Sequence, residues 1–387
     1  MSCTQLHVHA NMISTKLPDD LLCKIFAMLD PYPSIFVCSR VCIHWCSVAR
    51  FAIRRVVVPA TCDALLRAVH DALPGDTLFL DPGVHELSSV LTINKPLRIL
   101  SNVARHGKSA LSANPRHYDY NDRPILVSTR NVLICICANA VLADIVMVRM
   151  RHTLGYPNAV VAIQNGRAHV KGCSITCGGG FALASALEAF SFLSSPRWDV
   201  ERPEVFHTNM PTEPQSGVWV GIGAHAIVES CAISCCMGPG IKVYRGKLNA
   251  SFNTIAFSRC GGNVVANGGV ITLYKNSIHG SGSNGVVTWS NANISIIEND
   301  IWSNTGYGIE IKRGAVLVAI TDNRIYDNGG IPLCFDCVTS NCVNIGRNYD
   351  RECLICPHSL DGNTRLLFTR RMDTNVDGAS FAVNFDF

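Results

Sequence analysis

ENDIWSNTG (Glu298–Gly306) recurs along the chain in altered copies, of which KNSIHGSG begins at Lys275 and DNRIYDNGG at Asp322. In each copy an Asn stands two residues before an Ile, and small polar residues follow. A compact domain with one core does not need such a recurrence, whereas a stack of similar turns does. The stretch therefore predicts a repeat architecture.

The repeat can be aligned on its Ile, and from Ile233 onward successive members are 22 to 24 residues apart. This reference column contains Ile175, Ile233, Ile255, Ile278, Ile301 and Ile325. Apolar residues also recur seven and five positions before the Ile, and a spacing of two places strand side chains on one face. Short strands at this interval leave no room for crossover helices, so the chain must coil. We expect a mostly β fold, a right-handed single-stranded parallel β-helix that resembles the pectin-lyase-like folds.

A second column stands two residues before each reference Ile and holds Cys173, Cys231, Asn253, Asn276, Asn299 and Asn323. We expect these residues at the turn between strands, where each amide can bond to its counterpart on the next coil. The alternative, a coincidental set of antiparallel hairpins, does not hold six positions in one register.

The repeat also predicts the domain boundaries. We expect the β-helix over residues 61–350, a disordered segment at 1–16 and a C-terminal cap or tail at 351–387. The step from Ile175 to Ile233 is a coil plus an insertion, at about 179–216, and between 101 and 158 the register is loose. The segment 62–72 has helical spacing of its apolar residues and is expected to plug the open end of the stack.

The segment 17–55 precedes the repeat and reads as helical. Its sequence LPDDLLCKIFAML, followed by VCIHW, resembles the F-box. The matching residues are Leu17, Pro18, Leu21, Leu22, Ile25, Phe26, Leu29, Val41, Cys42 and Trp45. An F-box followed by a β-helix resembles the plant SKP-interacting β-helix F-box proteins and the animal F-box-only β-helix proteins.

This resemblance implies a function and partners. F-boxes dock onto a Skp-family adaptor that joins a cullin scaffold, so the ten matching residues are expected to bind the adaptor. The chain would then be the substrate-recognition subunit of an SCF-type ubiquitin ligase, with the β-helix binding a protein target that the sequence does not name. The alternative is a non-degradative β-helix protein that binds a glycan or a peptide.

Other partners are disfavoured by composition. The chain is 48% hydrophobic and 16% charged with a net charge of +4, and no run of Lys or Arg indicates nucleic acid or an anionic membrane. No stretch reaches the length of about 20 apolar residues that a transmembrane helix needs. Without a visible export signal, we expect the protein in the cytosol or the nucleus, with most of its 19 cysteines as buried thiols.

Two further kinds of site can be weighed. The motifs CFDC and CLIC, with Cys334, Cys337, Cys353 and Cys356, have the spacing of a structural zinc site, but IPLCFDC aligns with IEIKRG of the preceding coil, which favours wall residues of a last coil and leaves zinc as the alternative. A β-helix could also be an enzyme, but its carboxylates fall in different columns, so we predict no catalytic residues. They are Glu229, Glu298, Asp300, Glu310, Asp322 and Asp327.

Overall fold

The computed structural model describes residues 18–27, 44, 45, 48, 55–102, 123–128, 132–149, 159–177, 215–312, 314, 317–335, 342–345, 355, 356 and 366–368. Helix α1 is Asp19–Ala27 and helix α2 is Ala64–Asp71. Within these ranges, no helix is long and apolar enough to cross a lipid bilayer. The predicted segment 1–16 lies outside them, as does nearly all of the predicted insertion at 179–216.

Short strands make up most of the described chain. In order they are β1 Arg55–Val58, β2 Thr77–Leu80, β3 Gly83–Leu87, β4 Leu91–Ile93, β5 Leu97–Ser101, β6 Pro124–Ser128, β7 Val132–Ile136, β8 Ala140–Ala143, β9 Val146–Arg149, β10 Ala159–Ile163, β11 Arg167–Lys171, β12 Ser174–Cys177, β13 Ser216–Val220, β14 His225–Glu229, β15 Ala232–Ser234, β16 Ile241–Tyr244, β17 Lys247–Ser251, β18 Thr254–Ala256, β19 Val264–Tyr274, β20 Ser277–His279, β21 Val286–Ile297, β22 Asp300–Trp302, β23 Ile309–Ile311, β24 Leu317–Thr321, β25 Arg324–Tyr326, β26 Leu333–Phe335, β27 Cys342–Ile345, β28 Ile355–Cys356 and β29 Leu366–Phe368.

These strands form two sheets whose pairings are parallel. Every third strand from β3 to β18, followed by β20, β22 and β25, lies in a nine-stranded sheet, and the other twenty strands form the second sheet. A typical coil places β16 and β17 in the large sheet and β18 in the small one, and the next coil pairs with it strand for strand. The predicted parallel β-helix is confirmed.

The reference column forms the inner row of the small sheet. Ile255 pairs in register with Ile278, Ile278 with Ile301, and Ile301 with Ile325. All are at most 2% exposed, so side chains from successive coils pack into one continuous apolar core. Upstream the same row continues through Met147 to His85, positions that the sequence repeat does not reveal.

The Asn column forms a buried hydrogen-bonded ladder. The amide of Asn253 donates to Asn276, that of Asn276 to Asn299 and that of Asn299 to Asn323, over 2.9 to 3.0 Å. The positive φ of the turn falls on the residue before the ladder, as at Lys275 with φ of 52°. The Asn therefore supplies hydrogen bonds, and its neighbour supplies the left-handed backbone.

Eleven described cysteines are free thiols, and four of them, Cys173, Cys177, Cys231 and Cys236, are buried. Six others are half-buried and Cys62 is exposed, so the predicted burial of most cysteines is not seen among these eleven. Cys173 and Cys231 take the place of Asn in the ladder column. The Cys231 thiol donates to the carbonyl of Val170 over 3.4 Å, and its backbone N–H donates to Asn253 Oδ1 over 2.9 Å. A thiol thus continues the column where the amide ladder ends.

The predicted capping helix is confirmed as α2, whose Leu65 and Val69 are buried in the core of the first coils. Strand β1 pairs with β2, so Arg55–Val58, at the end of the predicted F-box segment, belongs to the large sheet. At the other end, β28 and β29 extend that sheet past the predicted boundary at residue 350.

Candidate partner-binding site

Helix α1 begins at Asp19, directly after Pro18. Pro18 accepts hydrogen bonds at its carbonyl from the backbone N–H groups of Leu21 and Leu22, both at 3.0 Å. Asp19 and Asp20 occupy the first turn, where negative charge complements the positive end of the helix dipole. The His44 ring nitrogen lies 3.0 Å from the Asp19 carboxylate and joins this turn to the following segment.

One side of α1 is packed inside the F-box segment. Leu22 and Phe26 are 2% and 1% exposed, and Val48 is also buried. The Phe26 and Trp45 rings meet edge to face with centroids 5.3 Å apart. Leu22 and Phe26 were expected to contact the adaptor, but a buried side chain offers no surface to a partner. They stabilise the helical segment instead.

The other side of α1 carries an exposed apolar patch. Leu21 is 45% exposed, Ile25 is 40% exposed and Pro18 is exposed as well. Positions 18, 21 and 25 are three and four residues apart, which places them on one helix face. We call Pro18, Leu21 and Ile25 the α1 patch. Of the other matching residues, Leu17, Leu29, Val41 and Cys42 lie outside the described residues.

Four of the six carboxylates considered above, Glu229, Glu298, Asp300 and Glu310, each lie beside a basic side chain. Glu229 lies 3.2 Å from His169 and 3.3 Å from Lys171, and these partners outweigh burial and lower its pKa. Glu298 pairs with Lys275 over 3.3 Å. In the described part of the chain, no group of three or more His, Cys, Asp or Glu could hold a metal ion.

Glu310 and Asp300 follow the same pattern of local pairing. Glu310 lies 3.4 Å from Lys312 and accepts a 2.6 Å hydrogen bond from the Asn284 amide. Asp300 lies 3.9 Å from Arg324, but burial raises the pKa of its carboxyl. These groups form paired charges along the outer wall.

An aromatic column lines the outer face of the small sheet. The His279 ring stacks on Trp302 with centroids 4.4 Å apart, and Trp302 is parallel to Tyr326 at 6.1 Å. The stacked ring faces cover one another, and His279 is buried. A flat ligand such as a sugar needs free ring faces for stacking, and this column therefore favours a structural role.

The predicted zinc residues are described only in part. Cys334 and Cys356 are register partners in β26 and β28, so two of the four positions lie on adjacent coils. Cys337 and Cys353 lie outside the described residues. The zinc site therefore stays a prediction.

The structure shows one column of basic residues that was not predicted from the sequence. Arg167, His225 and Lys247 each stand eight positions before a reference Ile, so the aligned repeat contains the signal. Parallel pairing stacks these three positions on successive coils. The column holds three different residue types, so no single residue repeats along the chain to mark it.

Comparison with protein families and solved structures agrees with this architecture. A family model described as F-box-like matches residues 15–56, and one described as a right-handed beta helix region matches residues 206–349. No curated protein sequence matches the chain.

Similar solved structures include three carbohydrate-active proteins. Pectate lyase Pel9A is 9% identical, with 80% of this chain and 79% of that chain covered and a TM-score of 0.45. The PL6 family alginate lyase AlyGC is 13% identical, with 81% and 40% covered and a TM-score of 0.38. The periplasmic alginate epimerase AlgG is 11% identical, with 84% and 73% covered and a TM-score of 0.26. Sequence identities and TM-scores this low support no conclusion about activity.

The stacked parallel coils and the matched repeat region define the chain as a right-handed parallel β-helix protein. More particularly, the segment before the coils contains an F-box-like domain. An F-box-like domain supports binding of a Skp-family adaptor in general.

Proposed function

We propose that this protein is the substrate-recognition subunit of an SCF-type ubiquitin ligase. The F-box-like segment binds a Skp-family adaptor, which links the chain to a cullin scaffold, and the β-helix binds the protein to be ubiquitinated. The α1 patch is the main support for this proposal. Its three apolar residues belong to the set that matches the F-box, and they are exposed on one face of the helix.

The size of the α1 patch suits an anchor for a partner. Fully burying a Leu or Ile contributes roughly 1.5–3 kcal/mol. Leu21 and Ile25 still expose slightly less than half of their surface, so covering each contributes about 1 kcal/mol. Together these two side chains account for about 2 kcal/mol, which corresponds to about thirtyfold in affinity.

The β-helix suits the presentation of a target-binding surface. Its inner columns form one continuous apolar core, and its turns are joined by the buried Asn ladder. Such a stack holds outward side chains of neighbouring coils at a fixed spacing of about 4.8 Å. A rigid wall of this kind supports recognition of an extended partner without an ordering cost on the receptor side.

The test uses the full chain and co-purification with a Skp-family adaptor. Leu21→Ser combined with Ile25→Ser should weaken adaptor binding about thirtyfold in titration calorimetry while leaving the thermal melt unchanged. Leu73→Ser is the matched control, because Leu73 is 60% exposed and lies in the first coils. It should bind the adaptor as the parent does.

Two results would count against the proposal. Adaptor binding that survives the double substitution would remove the α1 patch from the interface. A parent protein that never retains the adaptor would favour the non-degradative β-helix binder instead.

A further inference from the structure

Each typical coil contributes two consecutive strands to the large sheet, and the chain turns between them. The turns of successive coils stack and form one corner of the β-helix. Five basic residues lie at this corner on three neighbouring coils. We call them the basic corner, and they are Arg167, His225, Lys242, Arg245 and Lys247.

The register places three of these side chains in one outward column. Arg167 pairs with His225, and His225 pairs with Lys247, so the column advances by about 4.8 Å per coil. Arg167 and Lys247 are exposed, and His225 is partly exposed. On the coil of Lys247, Arg245 lies in the turn itself, and Lys242 lies in β16, five residues before Lys247, so the patch extends from the corner onto this strand.

No described acidic residue neutralises this patch. Among the described residues, none of these five side chains forms an ion pair. The turns that directly precede Arg167 and His225, QNG (164–166) and GIGA (221–224), are neutral, as are CAN (137–139) and NGG (267–269) at the same corner of the adjacent coils.

Three acidic residues lie at a different corner, between the large sheet and the small one. Asp144, Glu298 and Asp322 all occupy its turn position. Burial lowers the pKa of His225, and the adjacent cations Arg167 and Lys247 lower it further. This shift agrees with a local field that is positive and uncompensated.

The backbone of neighbouring coils is closely packed at this corner, and Gly221 and Gly246 are buried. Gly246 packs against the carbonyl of Gly221, and Gly269 packs against Gly246, contacts that leave no room for a side chain. Ile222 is 61% exposed beside the cations. A row of cations on successive coils beside one exposed apolar side chain fits an extended peptide better than a small molecule, which needs a concave site.

We propose that the basic corner binds an acidic segment of the target protein. Its Asp and Glu carboxylates would meet the cations of the outward column, and its apolar residues would cover Ile222. This inference rests on the proposed function, since it names the chemistry of the target. Nucleic acid fits less well, because affinity for it grows with the number of phosphates neutralised, and this small patch also includes the exposed apolar Ile222, which a phosphate backbone does not cover.

The experiment uses the full-length protein and a fluorescein-labelled peptide of about twelve residues that alternates Glu and Ser. A peptide with Gln in place of Glu is the neutral probe. Fluorescence anisotropy at low salt should show binding of the Glu peptide only, and the affinity should fall as salt rises. Arg167→Gln combined with Lys247→Gln should weaken binding about tenfold, because each exposed charge pair contributes up to about fivefold.

Lys275→Gln is the matched control. Lys275 is also an exposed cation, but it lies at the corner between the large sheet and the small one, where it pairs with Glu298. Its substitution should therefore change the peptide affinity less than twofold. Lys242→Gln combined with Arg245→Gln is a second, independent test pair. Circular dichroism melts confirm that the variants fold.

Several results would overturn the inference. These are equal affinity for the Gln peptide, no binding of the Glu peptide, an equal loss in Lys275→Gln, or displacement by a DNA oligonucleotide that binds more tightly. Adaptor retention is measured on the same preparations. If the adaptor is retained while the peptide fails to bind, the inference fails and the ligase role stands; if the adaptor is never retained, the ligase role fails by itself.

Discussion

Removal of one amide from the middle of the Asn ladder should destabilise the stack strongly. The Asn276 side chain is 2% exposed and takes part in four hydrogen bonds. Its Oδ1 accepts from the backbone N–H of Asn253 over 3.0 Å and from the Asn253 amide over 2.9 Å. Its Nδ2 donates to the carbonyl of Ala250 and to Asn299 Oδ1, both over 2.9 Å.

The cost of Asn276→Ala follows from these contacts. Each hydrogen bond has a net value of about 1 kcal/mol, and a buried group left without a partner costs about 1–3 kcal/mol. The substitution removes all four bonds and deprives the buried backbone N–H of Asn253 of this acceptor. We therefore expect a loss of about 4 kcal/mol in the free energy of unfolding.

Guanidinium unfolding followed by circular dichroism measures this loss, and hydrogen exchange at the Asn253 amide reports on the local bond. Asn249→Ala is the matched control, because Asn249 lies on the outward face of β17 and is only partly buried. Its cost should stay near 0.5 kcal/mol. If the two variants unfold within about 1 kcal/mol of each other, with unchanged exchange at Asn253, the ladder does not stabilise the stack as argued.

Two further changes test the corner backbone and the aromatic column. Gly269→Ala should cost more than about 3 kcal/mol, because φ is +93° and a Cβ would meet the carbonyl of Gly246. Gly223→Ala, with φ of +71° in open space, should cost about 1 kcal/mol, and equal melting temperatures for the two would contradict this. Burial lowers the pKa of His279 from 6.5 to about 4, so the neutral ring is favoured in the folded state. Stability from this group is complete above about pH 6.5 and is lost as pH falls towards 4, by about 3 kcal/mol in all. The variant His279→Phe should lack this loss in pH-dependent unfolding, and parallel curves for the two proteins would refute it.

The aligned repeat predicted the inner columns because in-register parallel strands repeat a residue position at every coil. The same logic would have placed Arg167 over His225, since both stand eight positions before a reference Ile. Upstream the alignment failed because Met147 and Leu126 replace Ile in the inner row and no Asn marks the turn. An apolar core accepts such exchanges, so a search for identical residues does not detect them.

The sequence by itself determined the stacking of the coils and the presence of an F-box-like helix, because both depend on spacing along the chain. It could not determine which F-box residues face a partner. Leu21, Leu22, Ile25 and Phe26 form one continuous apolar stripe at helical spacing. Only the packing of Leu22 and Phe26 with Val48 and Trp45 divides this stripe, burying one half and leaving Leu21 and Ile25 exposed to a partner.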